Sequence, residues 1–545
     1  MATYYAAVGG SSGNPGTEGS PWTFDYGLTQ IVAGDTLYVK AGNHGNISRT
    51  IVRNGTSTNK IKVIGYKTSI GDISATKGST FLSNKTLADS AQMPVYDSGR
   101  TSNRPNVENG IIIQGDYWEI SNIGTIGYFR PFELNGDNNI IDNFFSSRSG
   151  SHNPDDQVGG FGSSFPNGVY SGHGMTMKGD NLILKNSYVL DAGAEGFRFE
   201  SINNALGYDN TMYVRLGKGT YQFNKTAWDG NPVDYHFHLS SNCTNSTFYD
   251  TTVIQEPGMG TTGHGIVCKP SQDQVVTNIV FDRFYVENTA LETQFPTVDG
   301  IVFKNGTVIS TEGTGFDQVR NVGANIANAS QNVTIENVQF LNGANCRSSG
   351  WNEFIWTDTY FDASVNLLVK NCYFQKRLTN DHSGNIFALA VEYGPGAEGG
   401  WTTRGMTLDH CTFDGHDVLF RLESPSDGID FVNCIVKDIS IYTKIYYLNG
   451  TNGRNGPYSI VTNWDTCNFS GGISRTGTNV TTLSPALDVD FITTNATLLM
   501  GGVATSDYAA GLPVGYLGEI DTPVIPPILD NLFGRKQNAI ALINN

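Results

Sequence analysis

One short phrase, repeated with variations between Gly172 and Ser310, limits what this chain can fold into. It occurs as GMTMKGDN (Gly174–Asn181), GFRFESIN (Gly196–Asn203), YHFHLSSN (Tyr235–Asn242), GIVCKPSQ (Gly265–Gln272) and GIVFKNGT (Gly300–Thr307). Each copy has two apolar residues two apart, followed by a cluster of Asn, Ser, Gly or Lys. Alternation with period two marks a strand with one buried face. Further strands of similar character follow, among them LILKNSYV (Leu182–Val189), IVFDRFYV (Ile279–Val286), LLVKNCYF (Leu367–Phe374) and MTLDHCTF (Met406–Phe413). Strands that recur every few tens of residues, with no helical pattern between them, predict a solenoid whose rungs bury their faces against their neighbours. The predicted fold class is all-β: a single-stranded right-handed parallel β-helix with an N-terminal capping helix and an extended C-terminal tail.

Composition agrees with many tight corners. The 545 residues include 64 Gly, only 16% are charged, and Asn and Gly tolerate the positive φ that corners need. A net charge of −17 argues against a nucleic-acid binder, which needs Lys and Arg against phosphates, and against an anionic membrane surface. No apolar run reaches the ~18 residues of a membrane span. Met1 runs into Tyr4-Tyr5-Ala6-Ala7-Val8 without a basic region and apolar stretch, so the expectation is a chain made in a cytoplasm without a leader. The seven cysteines cannot all pair within one chain. Cys372, Cys411, Cys434 and Cys467 share one place in the repeat, which favours a buried stack over a metal site.

The opening words, YYAAVGGSSGNPGTEGSPW (Tyr4–Trp22), IVAGDTLYVKAGNH (Ile31–His44) and KIKVIGY (Lys60–Tyr66), resemble the start of pectin-lyase-like β-helix proteins, including chondroitinase-B-like lyases and phage depolymerases. The resemblance implies that Thr23–Val32 is a capping helix. The expected division is 1–66 for cap and first rung, 67–520 for the β-helix, and 521–545 for a Pro-rich tail suited to docking. Long insertions are expected at 146–171 and 205–234. LSPALDVDF (Leu483–Phe491) and GLPVGYLGEID (Gly511–Asp521) resemble the closing words of the same family.

Aligning the five segments sets Met175/Met177, Phe197/Phe199, Phe237/Leu239, Ile266/Cys268 and Ile301/Phe303 inside. Thr176, Arg198, His238, Val267 and Val302 then form one outward column, because strand neighbours face opposite ways. Lys178, Glu200, Ser240, Lys269 and Lys304 form the next, with His236 just before it. With rungs about 4.8 Å apart, His236, His238, Arg198, Glu200, Lys178 and Lys269 share a patch, and Asp191, Glu195, His173 and His264 are placed at nearby turns. Those residues suit two reactions. A lyase needs a base and a cation for the enolate-like charge. A glycosidase needs one protonated and one ionised carboxyl, with Glu200 and Asp191 or Glu195 as candidates. The alternative is a ladder of exposed salt bridges with little consequence. Substrate-binding candidates are His173, Tyr213, Arg215, Trp228, Tyr235 and His264, with Trp351, Trp356, Tyr360 and Trp401 as sugar-stacking candidates further on.

No cofactor is required by any spacing, although Asp- and Asn-rich turns can accommodate Ca2+. The acidic chain, the lyase-like words and the terminal appendage together resemble phage tail spikes. That resemblance implies a virion protein, made in the host cytoplasm and working as a trimer, that binds and cuts a host polysaccharide and docks other tail proteins through its tail. The alternatives are a secreted extracellular bacterial lyase or hydrolase, and a non-catalytic rod.

Overall fold

The computed structural model describes residues 1–73, 88–99, 109–149, 172–192, 195–214, 235–256, 264–271, 273–310, 323–327, 330–342, 353–358, 365–376, 387–392, 404–415, 418–422, 426–439, 441–445, 460–470 and 479–481. The chain divides into two compact units, Met1–Glu256 and Pro257–Pro523. Among the described residues every paired strand runs parallel to its partner, and a complete rung such as His173–Leu190 contributes three strands to three ladders. This is a right-handed parallel β-helix, the hand that parallel crossovers adopt.

In the first unit, ladder A stacks Arg49–Val52, Asn109–Gln114, Arg130–Asn135, His173–Asp180, Glu195–Asn203 and Tyr235–Ser241. Ladder B begins with Thr3–Ala6 and Thr36–Lys40 and continues through Ile183–Lys185 and Leu206–Tyr208. Ladder C carries Tyr188–Leu190, Thr211–Val214 and Thr252–Gln255. Met177, Phe199 and Leu239 from A, Leu184 from B and Met212 and Val253 from C are all buried. The helix Phe24–Gln30 lies within the expected Thr23–Val32. The Thr23 side chain accepts from the Tyr26 amide as N-cap, and Phe24 and Leu28 are buried. A cap of this kind covers the open strand edges of a solenoid.

Asparagine turns the corners. Asn122, Asn143 and Asn186 in the first unit, and Asn305, Asn337 and Asn371 in the second, have φ between 48° and 60°, a left-handed region that Asn enters more cheaply than most residues. Their amides also bond from rung to rung: Asn143 donates to Asn122 at 2.8 Å, Asn337 to Asn305 at 2.9 Å and Asn371 to Asn337 at 2.6 Å. One residue after this corner in the second unit, Cys372, Cys411, Cys434 and Cys467 are fully buried. The thiols of the last three donate to carbonyls of the preceding rung at 3.3–3.4 Å. Burial pushes the Cys411, Cys434 and Cys467 thiols well above their ordinary pKa. Phe340, Phe374 and Phe413 stack beside them with centroids 4.9 and 4.8 Å apart.

Two expectations need correction. GIVFKNGT does not continue the ladder of the first three segments. Ile301, Val302, Phe303 and Lys304 pair with Ile279, Val280, Phe281 and Asp282, which makes this a ladder B strand, and Lys304 bonds Asp282 at 3.4 Å. The apolar pattern was right, but it is common to all three faces and does not say which one a strand occupies. Likewise Ala205–Val214 is no insertion. It forms the strands Leu206–Tyr208 and Thr211–Val214 of a regular rung. The remainder of that segment, the insertion after Ser149 and the tail 521–545 lie outside the described residues.

Candidate functional site

Ladder A of the first unit gathers the charged residues. Register places Glu133, Thr176, Arg198 and His238 in one column, and Asn135, Lys178 and Glu200 in another. His173, Glu195 and Tyr235 form a third column at the strand starts. His173 and Glu195 are therefore strand residues, not turn residues as expected. The extended backbone fixes the side-chain alternation, so sequence distances of 22 and 40 residues collapse to one rung spacing.

Glu195 is the hub. Its Oε2 lies 3.0 Å from His238 Nδ1, its Oε1 accepts from the Arg198 guanidinium, and His173 Nε2 stands 3.8 Å from Oε1. Arg198 also donates to Glu200, whose other oxygen is 2.7 Å from Lys178 Nζ; that ammonium is 3.4 Å from Glu133. His173 Nδ1 is 2.9 Å from the Thr176 hydroxyl. The Tyr235 ring stacks on His238 with centroids 4.4 Å apart.

The electrostatics follow from burial set against pairing. Burial alone would raise Glu195, but the His238 hydrogen bond and the charges of His238, His173 and Arg198 hold its carboxyl down at about 2. Glu200 is also lowered: burial opposes the charge, and Lys178 and Arg198 outweigh it. Burial lowers His173 to about 4, with Arg198 and Arg130 adding to the effect and Glu195 opposing it. Lys178 and Arg198 lose some stabilisation to burial, yet their carboxylate partners raise both above their ordinary values. An ionised carboxylate only accepts, so His238 Nδ1 must carry the proton on Glu195. In the neutral imidazole this makes Nε2 the basic nitrogen.

His236 departs from expectation. It is fully buried, and its place one before Phe237 is the one held by Gly174 and Gly196 on the preceding rungs. It does not share the outward patch. His238, expected to be exposed, is 5% exposed. The charged network is thus largely buried and is not a row of exposed salt bridges. Asp191 occupies a buried left-handed corner after the third strand. Tyr213 is buried on ladder C and its hydroxyl donates to Glu256 at 2.8 Å, away from ladder A. His264 and Lys269 belong to the second unit, where His264 bonds the buried Glu292. Arg215, Trp228, Trp351, Tyr360 and Trp401 lie outside the described residues, as does the Trp356 side chain. Glu133, the second partner of Lys178, was missed from the sequence because its strand precedes a long irregular stretch. Among the described residues no group of three or more His, Cys, Asp or Glu side chains is placed to hold a metal ion.

The chain matches no family model and no curated protein sequence. It is similar to three solved β-helical enzymes. A mannuronic acid specific polysaccharide family 6 lyase from human gut microbiota is 12% identical with a TM-score of 0.40, covering 82% of this chain and 83% of that one. A GH87 α-1,3-glucanase catalytic unit from Streptomyces thermodiastaticus is 11% identical with a TM-score of 0.45, covering 88% and 70%. Pectate lyase Pel9A is 12% identical with a TM-score of 0.30, covering 95% and 96%. By its capped rungs of three parallel strands, the fold is a parallel β-helix. In this β-helix the candidate site is a heterogeneous stretch of one ladder, centred on Glu195.

Proposed function

We propose that this β-helix is a polysaccharide-degrading enzyme that cleaves a uronate-containing chain by β-elimination on ladder A of its first unit. The observation that carries the reading is the Glu195–His238 pair, in which a carboxylate held ionised fixes the imidazole with its basic nitrogen at Nε2. His238 takes the C5 proton of the uronate, and the released electron pair forms the C4–C5 double bond as the C4–O bond breaks. The departing oxygen takes the proton back from the imidazolium, so nothing else is consumed. Arg198 stabilises the charge that grows on the uronate carboxyl group. Tyr235 keeps the ring of His238 in its plane.

Hydrolysis by the same carboxylates is less well supported. A glycosidase needs one carboxylic acid still protonated near neutral pH, and both Glu195 and Glu200 are held below the ordinary range. The test is incubation of purified protein with acidic and neutral polysaccharides, following ultraviolet absorbance of the unsaturated uronate beside reducing ends. Absorbance and reducing ends rising together support elimination. Reducing ends alone transfer the role to hydrolysis, and silence on both sinks the enzyme reading.

The setting that fits is a phage tail, with the host's surface polysaccharide as substrate and a trimer as the working form. Its support is the sequence resemblance to tail spikes and the acidic, Asn-cornered β-helix. Mass spectrometry of purified virions and sedimentation of the isolated protein test it; a monomer found only in bacterial culture supernatant favours a secreted lyase instead.

A further inference from the structure

Among the described residues, the lysines and arginines of ladder A in the first unit are paired with carboxylates, with one exception. Lys178 has Glu200 and Glu133, and Arg198 has Glu195 and Glu200. Arg130, at the start of the strand two rungs before Glu195, pairs with no carboxylate among the described residues. Counting back from the Thr176–Glu133 pair puts it beside His173, whose pKa its charge helps to depress. Its guanidinium carbon lies 5.6 Å above the Phe129 ring, and its Nε is buried without a hydrogen-bond partner. On the preceding rung Asn109 is the register partner of Arg130, and the Asn109 Oδ1 is also buried without a partner.

A guanidinium keeps its charge at every accessible pH and offers five donors in a planar fork. A buried donor and a buried acceptor left unmade on adjacent rungs are each costly, and they do not satisfy each other here. A ligand that fills both needs an anionic oxygen pair for Arg130 and a hydroxyl donor for Asn109, a few ångströms apart. A sugar acid carries both groups on one ring.

We propose that Arg130 and Asn109 form a subsite for an acidic sugar, with Arg130 holding the carboxylate and Asn109 accepting a ring hydroxyl. The assignment rests on ladder A of the first unit being the polysaccharide-binding face, and it makes Arg130 the residue that selects acidic over neutral chains. The Phe129 ring adds a cation–π contact to the guanidinium.

The test uses the full chain with arginine labelled with 15N, and the Arg130 Nε–H resonance assigned by its loss in Arg130→Lys. Sodium glucuronate, glucose and sodium sulfate are the probes. Glucuronate is expected to shift that resonance and glucose to leave it unmoved. Arg130→Gln lowers glucuronate affinity about tenfold, and Asn109→Ala lowers it several-fold. That Arg130→Gln is folded is checked by its His173 titration, which rises from about 4 once the nearby charge is gone. An Arg130 resonance indifferent to glucuronate overturns the subsite, even if the product assay shows cleavage; loss of cleavage alone, with glucuronate still bound, strikes the catalytic reading and spares the subsite. Sulfate binding as tightly as glucuronate, with Asn109→Ala without effect, overturns the acidic-sugar assignment in favour of a general anion site.

Discussion

The asparagine corners of the second unit and ladder A of the first are both polar networks running from rung to rung, and they are built on opposite rules. At the corner one residue type recurs on three successive rungs: Asn337 donates to Asn305 at 2.9 Å and Asn371 to Asn337 at 2.6 Å. In the charged columns of ladder A no residue recurs. The column Glu133, Thr176, Arg198, His238 holds four side chains of different chemistry. A network that only holds rungs together is best served by one group that is both donor and acceptor. Mixed charges in equivalent register positions gain nothing as scaffold, because each must be desolvated and then matched individually. Variety at a repeated position is the mark of chemistry.

Substitutions separate the two networks, and the largest effect belongs to the heterogeneous one. His238→Ala should lower turnover of an acidic polysaccharide about a thousandfold, and it should also lower the melting temperature, because the buried Glu195 loses its His238 hydrogen bond. An active, folded variant would remove His238 from the reaction. Glu195→Gln should cost about a hundredfold in turnover and also change the acid limb of stability. Its carboxyl sits at about 2 in the fold against an ordinary 4.5, so its contribution is complete above 4.5 and disappears as pH falls through 2. The gap in urea midpoint between parent and variant should close over that window; a gap constant with pH would contradict the pairing.

Asn337→Ala tests the other network. It breaks two amide contacts and forces alanine to a φ of 53°, which should cost about 2 kcal/mol in urea denaturation and leave turnover alone. His173→Gln should have a smaller effect, confined to mild acid. A buried histidine held neutral down to about 4 lets the unfolded chain bind a proton that the folded chain refuses, so stability falls as pH drops from 6.5 through 4. The variant should lose that slope. Cys434→Ser is expected to be smallest, below about 1 kcal/mol, because the hydroxyl can still donate to Leu408 O.

The rungs were legible because period two is local and needs no partner to be seen: Leu182–Val189 and Leu367–Phe374, each expected as one strand, are strand on both sides of a left-handed corner at Asn186 and Asn371. Face assignment was less legible. Thr176, Arg198 and His238 lined up correctly, whereas Lys304 was given to the wrong ladder. Its cue was the Lys-Asn pair before a left-handed corner, shared with Lys185-Asn186 and Lys370-Asn371 and absent from true ladder A strands of the first unit. His236 was misplaced because alternation assumes a flat strand, and the column of Gly174 and Gly196 shows the chain turning in before its regular stretch. Arg130 and Glu133 were invisible to local reading, since they meet Lys178 and His173 only across 43 residues of intervening chain.

A ladder of near-identical rungs faces a counting problem. Asn337 would bond as well to an asparagine one rung off, and Cys411 would nest under any of its fellows, so these ladders reward pairing without fixing which rung meets which. The capping helix supplies the missing origin. Phe24 and Leu28 seal one end against the first strands, and Gly27 lies so close to Leu37 that an added methyl would collide with that side chain. With the first coil fixed in this way, later coils have a defined surface to add to, in the order in which a ribosome releases them. The helix thus serves as the zero mark from which the alignment of Glu195 with His238, well over a hundred residues on, is measured.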